Sequence, residues 1–222
     1  MDILSNLQHA ILQRFGTVAD SQHFSLTGGT ALAHFYLKHR KSQDLDFFTA
    51  VEELVVPFSH RLEAALQAQG LSTERQRGLQ SFVELVVRDD REATLVHLAQ
   101  DAAFRFEAPR RFPDYPDVNV DGLADLAANK LLALFGRATL RDFLDVYCLV
   151  KGGGFGTEDV MEKAKRKDPG FDRYWLGVAL ERIKTFPDGA PEMLLLREPI
   201  HAQELRAFFD QWREALVKDL KR

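Results

Sequence analysis

The pattern of hydrophobic residues changes near residue 121, from a mixture of strand-like runs and helical spacing to helical spacing alone. Before residue 121, short apolar runs alternate with segments of helical spacing, such as residues 2–15 and the segment that Pro57 opens and Gly70 ends. Strands that alternate with helices are typical of an α/β (α+β) fold. The sequence therefore predicts an α/β domain over residues 1–121.

From residue 71 onward the first half has the pattern of strands. Residues 82–87 and 93–98 are apolar runs that flank a charged segment, 88–92, an arrangement typical of a β-hairpin. Residues 104–122 are rich in proline and arginine, and we expect them to be irregular or to lie at a sheet edge.

The second half has helical spacing nearly to its end. Helices are predicted over residues 123–137 and about 139–151, and a glycine-rich break at 151–156 separates them from those that follow. The last helix places five large apolar side chains on one stripe: Leu205, Phe208, Phe209, Trp212 and Leu216. We therefore predict an all-helical domain over residues 122–222.

Composition limits the class of protein. With 45% hydrophobic and 28% charged residues among 222, the chain can bury a sizeable core and is typical of a soluble globular protein. The single cysteine, Cys148, excludes a disulfide framework, and no apolar run is long enough for a membrane span. The N-terminus has Asp2, no basic run and no small-residue cleavage site, so we do not expect a signal peptide. A net charge of −4 argues against a uniformly basic surface but is compatible with a local basic groove. We expect a cytoplasmic protein.

Residues 24–49 concentrate the candidate chemistry. One apolar run ends at Gly28 and Gly29, an alanine-rich segment follows, and a second apolar run carries Asp44 and Asp46. Glycines at a helix N-terminus let backbone N–H groups approach phosphate oxygens. Side chains two apart on a strand share a face, so the two aspartates can share a cation such as Mg²⁺. This pattern indicates chemistry on a nucleoside triphosphate.

Two stretches of the chain carry a more specific pattern. The first contains Thr27-Gly28-Gly29-Thr30-Ala31-Leu32-Ala33, His39-Arg40, Ser42 and Asp44-Leu45-Asp46-Phe47-Phe48, and the second contains residues 125–134, Arg137 and Arg141-Asp142-Phe143-Leu144-Asp145-Val146-Tyr147. Together they resemble the AbiEii/AbiGii toxin family of nucleotidyltransferases, within the DNA polymerase β-like superfamily. The resemblance implies a nucleotidyltransferase-type mixed sheet with flanking helices, followed by the helical half.

What the resemblance implies is transfer of a nucleotidyl group from a nucleoside triphosphate to an acceptor. Gly28, Gly29 and Thr30 would hold the β- and γ-phosphates, and Asp44 and Asp46 would bind Mg²⁺ as catalytic ligands.

The second stretch would complete the site. Lys130 would bind phosphate and take part in catalysis, while Arg137 and the catalytic candidate Asp145 would form a polar network behind it. Lys130 and Arg137 are seven residues apart in the sequence, so they lie on one face of a helix.

One position departs from the superfamily pattern. A third aspartate usually comes from a neighbouring strand, and the matching residue here is His97. If the hairpin turn is centred between Asp90 and Arg91, Glu84 lies opposite His97 on the same face. We hypothesise that Glu84 supplies the missing carboxylate, with His97 as a further candidate metal ligand. The alternative is a degenerate nucleotidyltransferase fold that binds a nucleotide or a partner without catalysis.

The expected partners follow from the family alone. The acceptor is expected to be RNA, with tRNA first, and the chain would be a toxin with a cognate antitoxin; a small molecule or a protein side chain is a further alternative acceptor. The Lys163–Lys167 cluster is expected to be a solvated face, His39 a structural or surface residue, and Arg40 and Lys41 part of a solvated loop.

Overall fold

The structure is a computed structural model that describes residues 2–220. Its described residues form two compact units, the first of residues 2–35 and 41–122 and the second of residues 36–40 and 123–220. Among the described residues, no helix combines the length and the apolar character that a membrane span requires.

The first unit is built on a seven-stranded mixed sheet. Its strands are β1 (Phe24–Thr27), β2 (Asp44–Thr49), β3 (Ser72–Leu79), β4 (Phe82–Arg88), β5 (Ala93–Gln100), β6 (Arg110–Phe112) and β7 (Tyr115–Val120). They lie in the order β3-β4-β5-β2-β1-β7-β6. Strand β2 runs parallel to β5 and antiparallel to β1, which runs parallel to β7. The predicted mixed sheet is confirmed.

The prediction for residues 104–122 is partly wrong. Strand β6 lies at the sheet edge as expected, but β7 lies between β1 and β6. Its pairs with β1 are limited to Asn119 and Val120, and Pro116 has no partner in the register of either neighbouring strand. The missing N–H of this proline therefore costs no ladder hydrogen bond.

Helices α1 (Asn6–Phe15) and α3 (Val55–Gln67) pack against the sheet. Helix α1 starts later than predicted because Ser5 and Gln8 form a capping box, in which each side chain accepts the other's backbone N–H. The core beneath them contains a cluster of buried phenylalanine rings: Phe15, Phe24, Phe47 and Phe58.

Alternation along the strands separates this core from a polar face. In β2, Leu45 and Phe47 are fully buried, whereas Asp44 and Asp46 are half-buried on the opposite side. Strands β4 and β5 alternate in the same way. A strand of period two thus presents its polar residues together on one face.

The second unit is helical. Its helices are α4 (Leu123–Arg137), α5 (Leu140–Gly152), α6 (Thr157–Lys167), α7 (Arg173–Glu181) and α8 (Ala202–Leu220). The stripe predicted on α8 is buried at four positions and half-buried at Phe208. Residues 36–40 join this unit, where Arg40 forms an isolated bridge with Leu196 and the N–H of Arg197 donates to the carbonyl of His39 at 2.8 Å. The predicted helical second half is confirmed.

Candidate active site

A row of polar side chains crosses one face of the sheet, with one residue from each of five neighbouring strands. The register places Thr27 opposite Asp46, Asp46 beside His97, His97 opposite Glu84, and Glu84 opposite Arg77. Residues that pair across neighbouring strands share a face of the sheet. The predicted position of Glu84 opposite His97 is confirmed.

The imidazole of His97 lies between two carboxylates of this row. Its Nδ1 is 2.8 Å from Oδ1 of Asp46, and its Nε2 is 3.2 Å from Oε2 of Glu84. The hydrogen bond to Asp46 is the main reason that the pKa of His97 rises above its ordinary value of 6.5; partial burial opposes the rise, and the charges of Asp46, Asp44 and Glu84 add to it. The imidazolium form is therefore favoured beside Asp46.

The glycine turn after β1 brings the backbone against the same carboxylate. Gly28 has a φ of +71°, and a Cβ at this position would overlap Oδ2 of Asp46. Only glycine satisfies both conditions without strain. The short helix α2 (Gly28–Thr30) starts here and continues as a π-helix over Ala31–Leu37.

Thr30 and Gly29 lie further into this turn and are both buried. The hydroxyl of Thr30 donates to the backbone carbonyl of Asp44, which ties α2 to the start of β2. The Thr30 side chain thus has a structural contact, and the backbone N–H groups of Gly28 and Gly29 are the donors suited to phosphate. The phosphate-binding role of all three residues stays a prediction.

Asp44 and Asp46 provide hard oxygen ligands on one face of β2. The buried hydroxyl oxygen of Thr27, opposite Asp46, has no hydrogen-bond partner among the residues that the structure describes. Within residues 2–220, no group of three histidine, cysteine, aspartate or glutamate side chains is arranged to hold a metal ion. Mg²⁺ is commonly bound by one or two carboxylates together with substrate phosphates and water. The two aspartates therefore fit a Mg²⁺ ion that shares its coordination with a triphosphate.

In the second unit, the buried carboxylate of Asp145 accepts hydrogen bonds from His39 and Arg40 and forms an ion pair with Lys130. Its Oδ1 is 2.7 Å from Nε2 of His39 and 2.6 Å from Nε of Arg40, and its Oδ2 is 2.8 Å from Nη2 of Arg40 and 2.9 Å from Nζ of Lys130. Burial alone would raise the pKa of Asp145, but the charges of Lys130 and Arg40 and the hydrogen bonds from His39 and Arg40 hold it well below its usual value. Asp145 is therefore ionised.

The expectation that Arg40 lies in a solvated loop is wrong. Its side chain is 3% exposed and forms a bidentate pair with Asp145. Nothing in the local sequence indicates this burial, because the partner lies 105 residues away along the chain. His39, expected to be structural or on the surface, lies beside it with a side chain that is 8% exposed.

Lys130 and Arg137, both on α4, have different surroundings. Lys130 is buried against Asp145, whereas the Arg137 side chain is 62% exposed and forms a bidentate pair with Asp142 at 2.9 and 2.8 Å. Asp142 also accepts from the hydroxyl of Thr139 at the start of α5. The nucleotide-binding roles of Lys130 and Arg137 and the catalytic role of Asp145 stay predictions.

Both halves of the chain match one family model. The model is that of the nucleotidyl transferase AbiEii toxin of type IV toxin–antitoxin systems, and it matches residues 10–121 and 82–222. The chain belongs to the AbiEii family. The family predicted from the sequence is therefore confirmed, and AbiEii membership makes the chain a nucleotidyltransferase-family toxin. It also implies a nucleotide substrate and an antitoxin.

Relatives of this AbiEii chain include proteins known from sequence and from structure. It is 28% identical over 214 residues to the uncharacterized protein aq_aa25 of Aquifex aeolicus (strain VF5). This alignment covers 93% of this chain and 94% of that protein. A Helicobacter pylori protein described as a candidate nucleotidyltransferase has a TM-score of 0.59 at 18% identity, over 98% of each chain. The nucleotidyltransferase toxin MenT4 of Mycobacterium tuberculosis H37Rv has a TM-score of 0.62 at 20% identity, over 96% of this chain and 82% of its own. At these identities the two structural likenesses concern the fold.

The contact between Gly28 and Asp46 gives a first prediction. Gly28→Ala is expected to lower nucleotidyl transfer about a hundredfold, because the added methyl group would displace the carboxylate of Asp46, and its predicted role as a metal ligand requires placement to within about an ångström. Gly70→Ala is the matched control, since Gly70 has a φ of +83° but its Cβ would meet no atom within 4 Å. Transfer rates and melting temperatures of both variants are compared. Equal rates would show that the close approach of Gly28 to Asp46 is not needed.

Proposed function

We propose that this AbiEii toxin transfers a nucleoside monophosphate from a nucleoside triphosphate to an RNA acceptor, with tRNA as the expected RNA, in a Mg²⁺-dependent reaction. One observation carries the proposal: Asp44 and Asp46 share a face of β2 beside a glycine turn whose backbone reaches Asp46. A phosphate-binding turn next to a carboxylate pair is the arrangement that nucleotidyl transfer requires.

In this proposal the residues of the first unit bind the metal and the triphosphate. Asp44 and Asp46 hold Mg²⁺, which when bound neutralises the triphosphate charge and aligns the α-phosphorus for attack. The backbone N–H groups of Gly28 and Gly29 donate to the β- and γ-phosphate oxygens. In the second unit, we assign a phosphate contact to Lys130, whose ammonium Asp145 holds at 2.9 Å.

We propose Glu84 as a third carboxylate that reaches the metal through a bridging water, since Asp44, Asp46 and Glu84 do not form a three-residue metal group among the described residues. Its carboxylate lies across the His97 ring from Asp46 and is 3.8 Å from Nε of Arg77. A structure with bound Mg²⁺ in which Glu84 lies beyond the reach of a bridging water would overturn this assignment.

A second candidate function follows from His97. The imidazolium favoured beside Asp46 competes with a metal cation for the same carboxylate. In this alternative the chain binds a nucleotide or a partner protein and does not catalyse transfer.

The proposed reaction is tested by label transfer. The protein is incubated with Mg²⁺ and each α-labelled nucleoside triphosphate in turn, with tRNA, with a protein mixture or with no added acceptor. Label on tRNA from one nucleotide is expected, and chelation of Mg²⁺ should abolish it. Label on protein in place of tRNA would show that the acceptor is a protein side chain and not RNA. Saturable nucleotide binding without any transfer would favour the second candidate function.

A further inference from the structure

A cleft in the second unit is lined by basic side chains that the proposed reaction does not use. Its volume is about 370 Å³, and its wall is formed by residues 37–39, the last turns of α5, and Arg197, Glu198 and Ile200. Lys38, Lys151 and Arg197 line it, and among its described lining residues Glu198 is the one carboxylate. The wall therefore has an excess of positive charge.

This positive charge is not neutralised inside the described protein. No ion pair within residues 2–220 joins Lys38, Lys151 or Arg197 to a carboxylate. The ammonium of Lys151 lies 5.4 Å from the ring centroid of Phe208, a contact that orients the cation and leaves its charge in place. Unpaired cations around a concave surface attract an anionic ligand.

His39 adds a buried polar atom that has no partner. Its Nε2 carries a proton, because it hydrogen-bonds the ionised carboxylate of Asp145. Its Nδ1 is buried and has no hydrogen-bond partner among the described residues, and the His39 side chain is 8% exposed and lines the cleft. A ligand group that pairs with Nδ1 would remove the cost of this unsatisfied atom.

The backbone beside His39 is also unusual. Lys38 has a φ of +54°, in the left-handed region that residues other than glycine seldom adopt. Strain of this kind persists where the surrounding structure enforces it, and it concentrates at binding sites. Here it places Lys38 on the wall of the cleft.

We propose that this cleft binds a phosphate group, either free phosphate or the phosphate of a nucleoside monophosphate. A phosphate oxygen can pair with Arg197 and Lys151 through charge-assisted hydrogen bonds. It can also satisfy His39: a protonated phosphate oxygen donates to neutral Nδ1, or an ionised oxygen accepts from Nδ1–H when the ring is protonated. The bound phosphate is then one hydrogen-bonded residue away from Asp145.

The remaining lining residues indicate binding without covalent chemistry. Burial raises the pKa of the Cys148 thiol to about 12, so it stays protonated and is a poor nucleophile. The hydroxyl of Tyr147 donates to Glu204. Leu37 and Ile200 give the cleft apolar wall beyond what phosphate alone would contact, which suits a ribose or a base. The inference is independent of the proposed transfer reaction.

Calorimetric titration of the full chain tests the proposal in the absence of Mg²⁺. Inorganic phosphate and a nucleoside 5′-monophosphate are the two probes. The double variant Lys151→Gln, Arg197→Gln is expected to weaken binding of both by at least about tenfold, because it removes two charge-assisted contacts. Lys218→Gln is the control: it also replaces a positive charge by a neutral amide, but Lys218 lies in the last turn of α8, outside the cleft. It should alter the affinity for either probe less than about twofold.

The outcomes separate the two sources of phosphate. Tighter binding of the monophosphate than of phosphate would assign a nucleotide to the cleft, and equal affinity would assign free phosphate. Absence of saturable binding, or binding that survives in the double variant, would overturn the proposal. Circular dichroism checks that the double variant is folded. If the double variant does not fold, the same titrations are made with Lys38→Gln, which changes an exposed residue of the cleft.

Discussion

The double variant Asp44→Asn, Asp46→Asn is expected to lose nucleotidyl transfer by a factor of at least about a thousand. Removing both carboxylates removes the charge that would hold the proposed Mg²⁺, and a metal's contribution of several kcal/mol to transition-state stabilisation corresponds to this factor. Asparagine preserves side-chain volume, so β2 should keep its pairing with β1 and β5. The measurement is the initial rate of label transfer at saturating Mg²⁺.

The matched control for this variant is Asp90→Asn. Asp90 is exposed in the turn between β4 and β5, in the same unit but away from the polar row. Its replacement also removes an aspartate charge, and the transfer rate should stay within about twofold. If the double variant retained a rate close to that of Asp90→Asn, the metal site would have to be sought elsewhere than on β2.

Asp145→Asn is expected to lower the free energy of unfolding by about 3 to 5 kcal/mol, the largest effect on stability that we expect from one substitution. The loss of the negative charge leaves the guanidinium of Arg40 and the ammonium of Lys130 buried without their counterion. Urea denaturation followed by circular dichroism measures the change. Asp210→Asn is the control, because Asp210 forms an exposed pair with Lys184 and should cost less than about 1 kcal/mol.

The same substitution should change how stability depends on pH. The pKa of Asp145 is lower in the folded protein than the ordinary 3.8 of the unfolded chain. Its contribution is therefore fully present above the unfolded pKa and is lost as the pH falls through the folded pKa. Asp145→Asn should lack this acid-dependent component; a variant with the stability and acid profile of the wild type would show that Asp145 does not hold the cluster together.

Local pattern was sufficient to predict the polar face of the sheet. The alternation of β2 gives the shared face of Asp44 and Asp46, and the charged turn between β4 and β5 fixes the register that sets Glu84 opposite His97. These relations depend on periods of two residues and on a turn only a few residues long. Both can be read from the chain without knowledge of distant contacts.

The buried cluster around Asp145 depends on contacts that sequence spacing does not encode. Arg40 and His39 stand in a polar segment whose composition is typical of a solvated loop, and both reach a partner more than a hundred residues away. Membership of residues 36–40 in the second unit likewise depends on tertiary contacts. Desolvation of a charge can be predicted only when its counterion is known.

The polar row across the five strands restricts where the gene can gain or lose codons. Each member belongs to the row through its register position alone, and a shift of one residue turns a strand's side chains to the opposite face. Deleting one codon within β5 ahead of His97 would bring Leu98 to the position beside Asp46 and turn the imidazole towards the phenylalanine core. Length changes compatible with this row are therefore confined to the turns, such as residues 89–92, while the five strands must change by substitution.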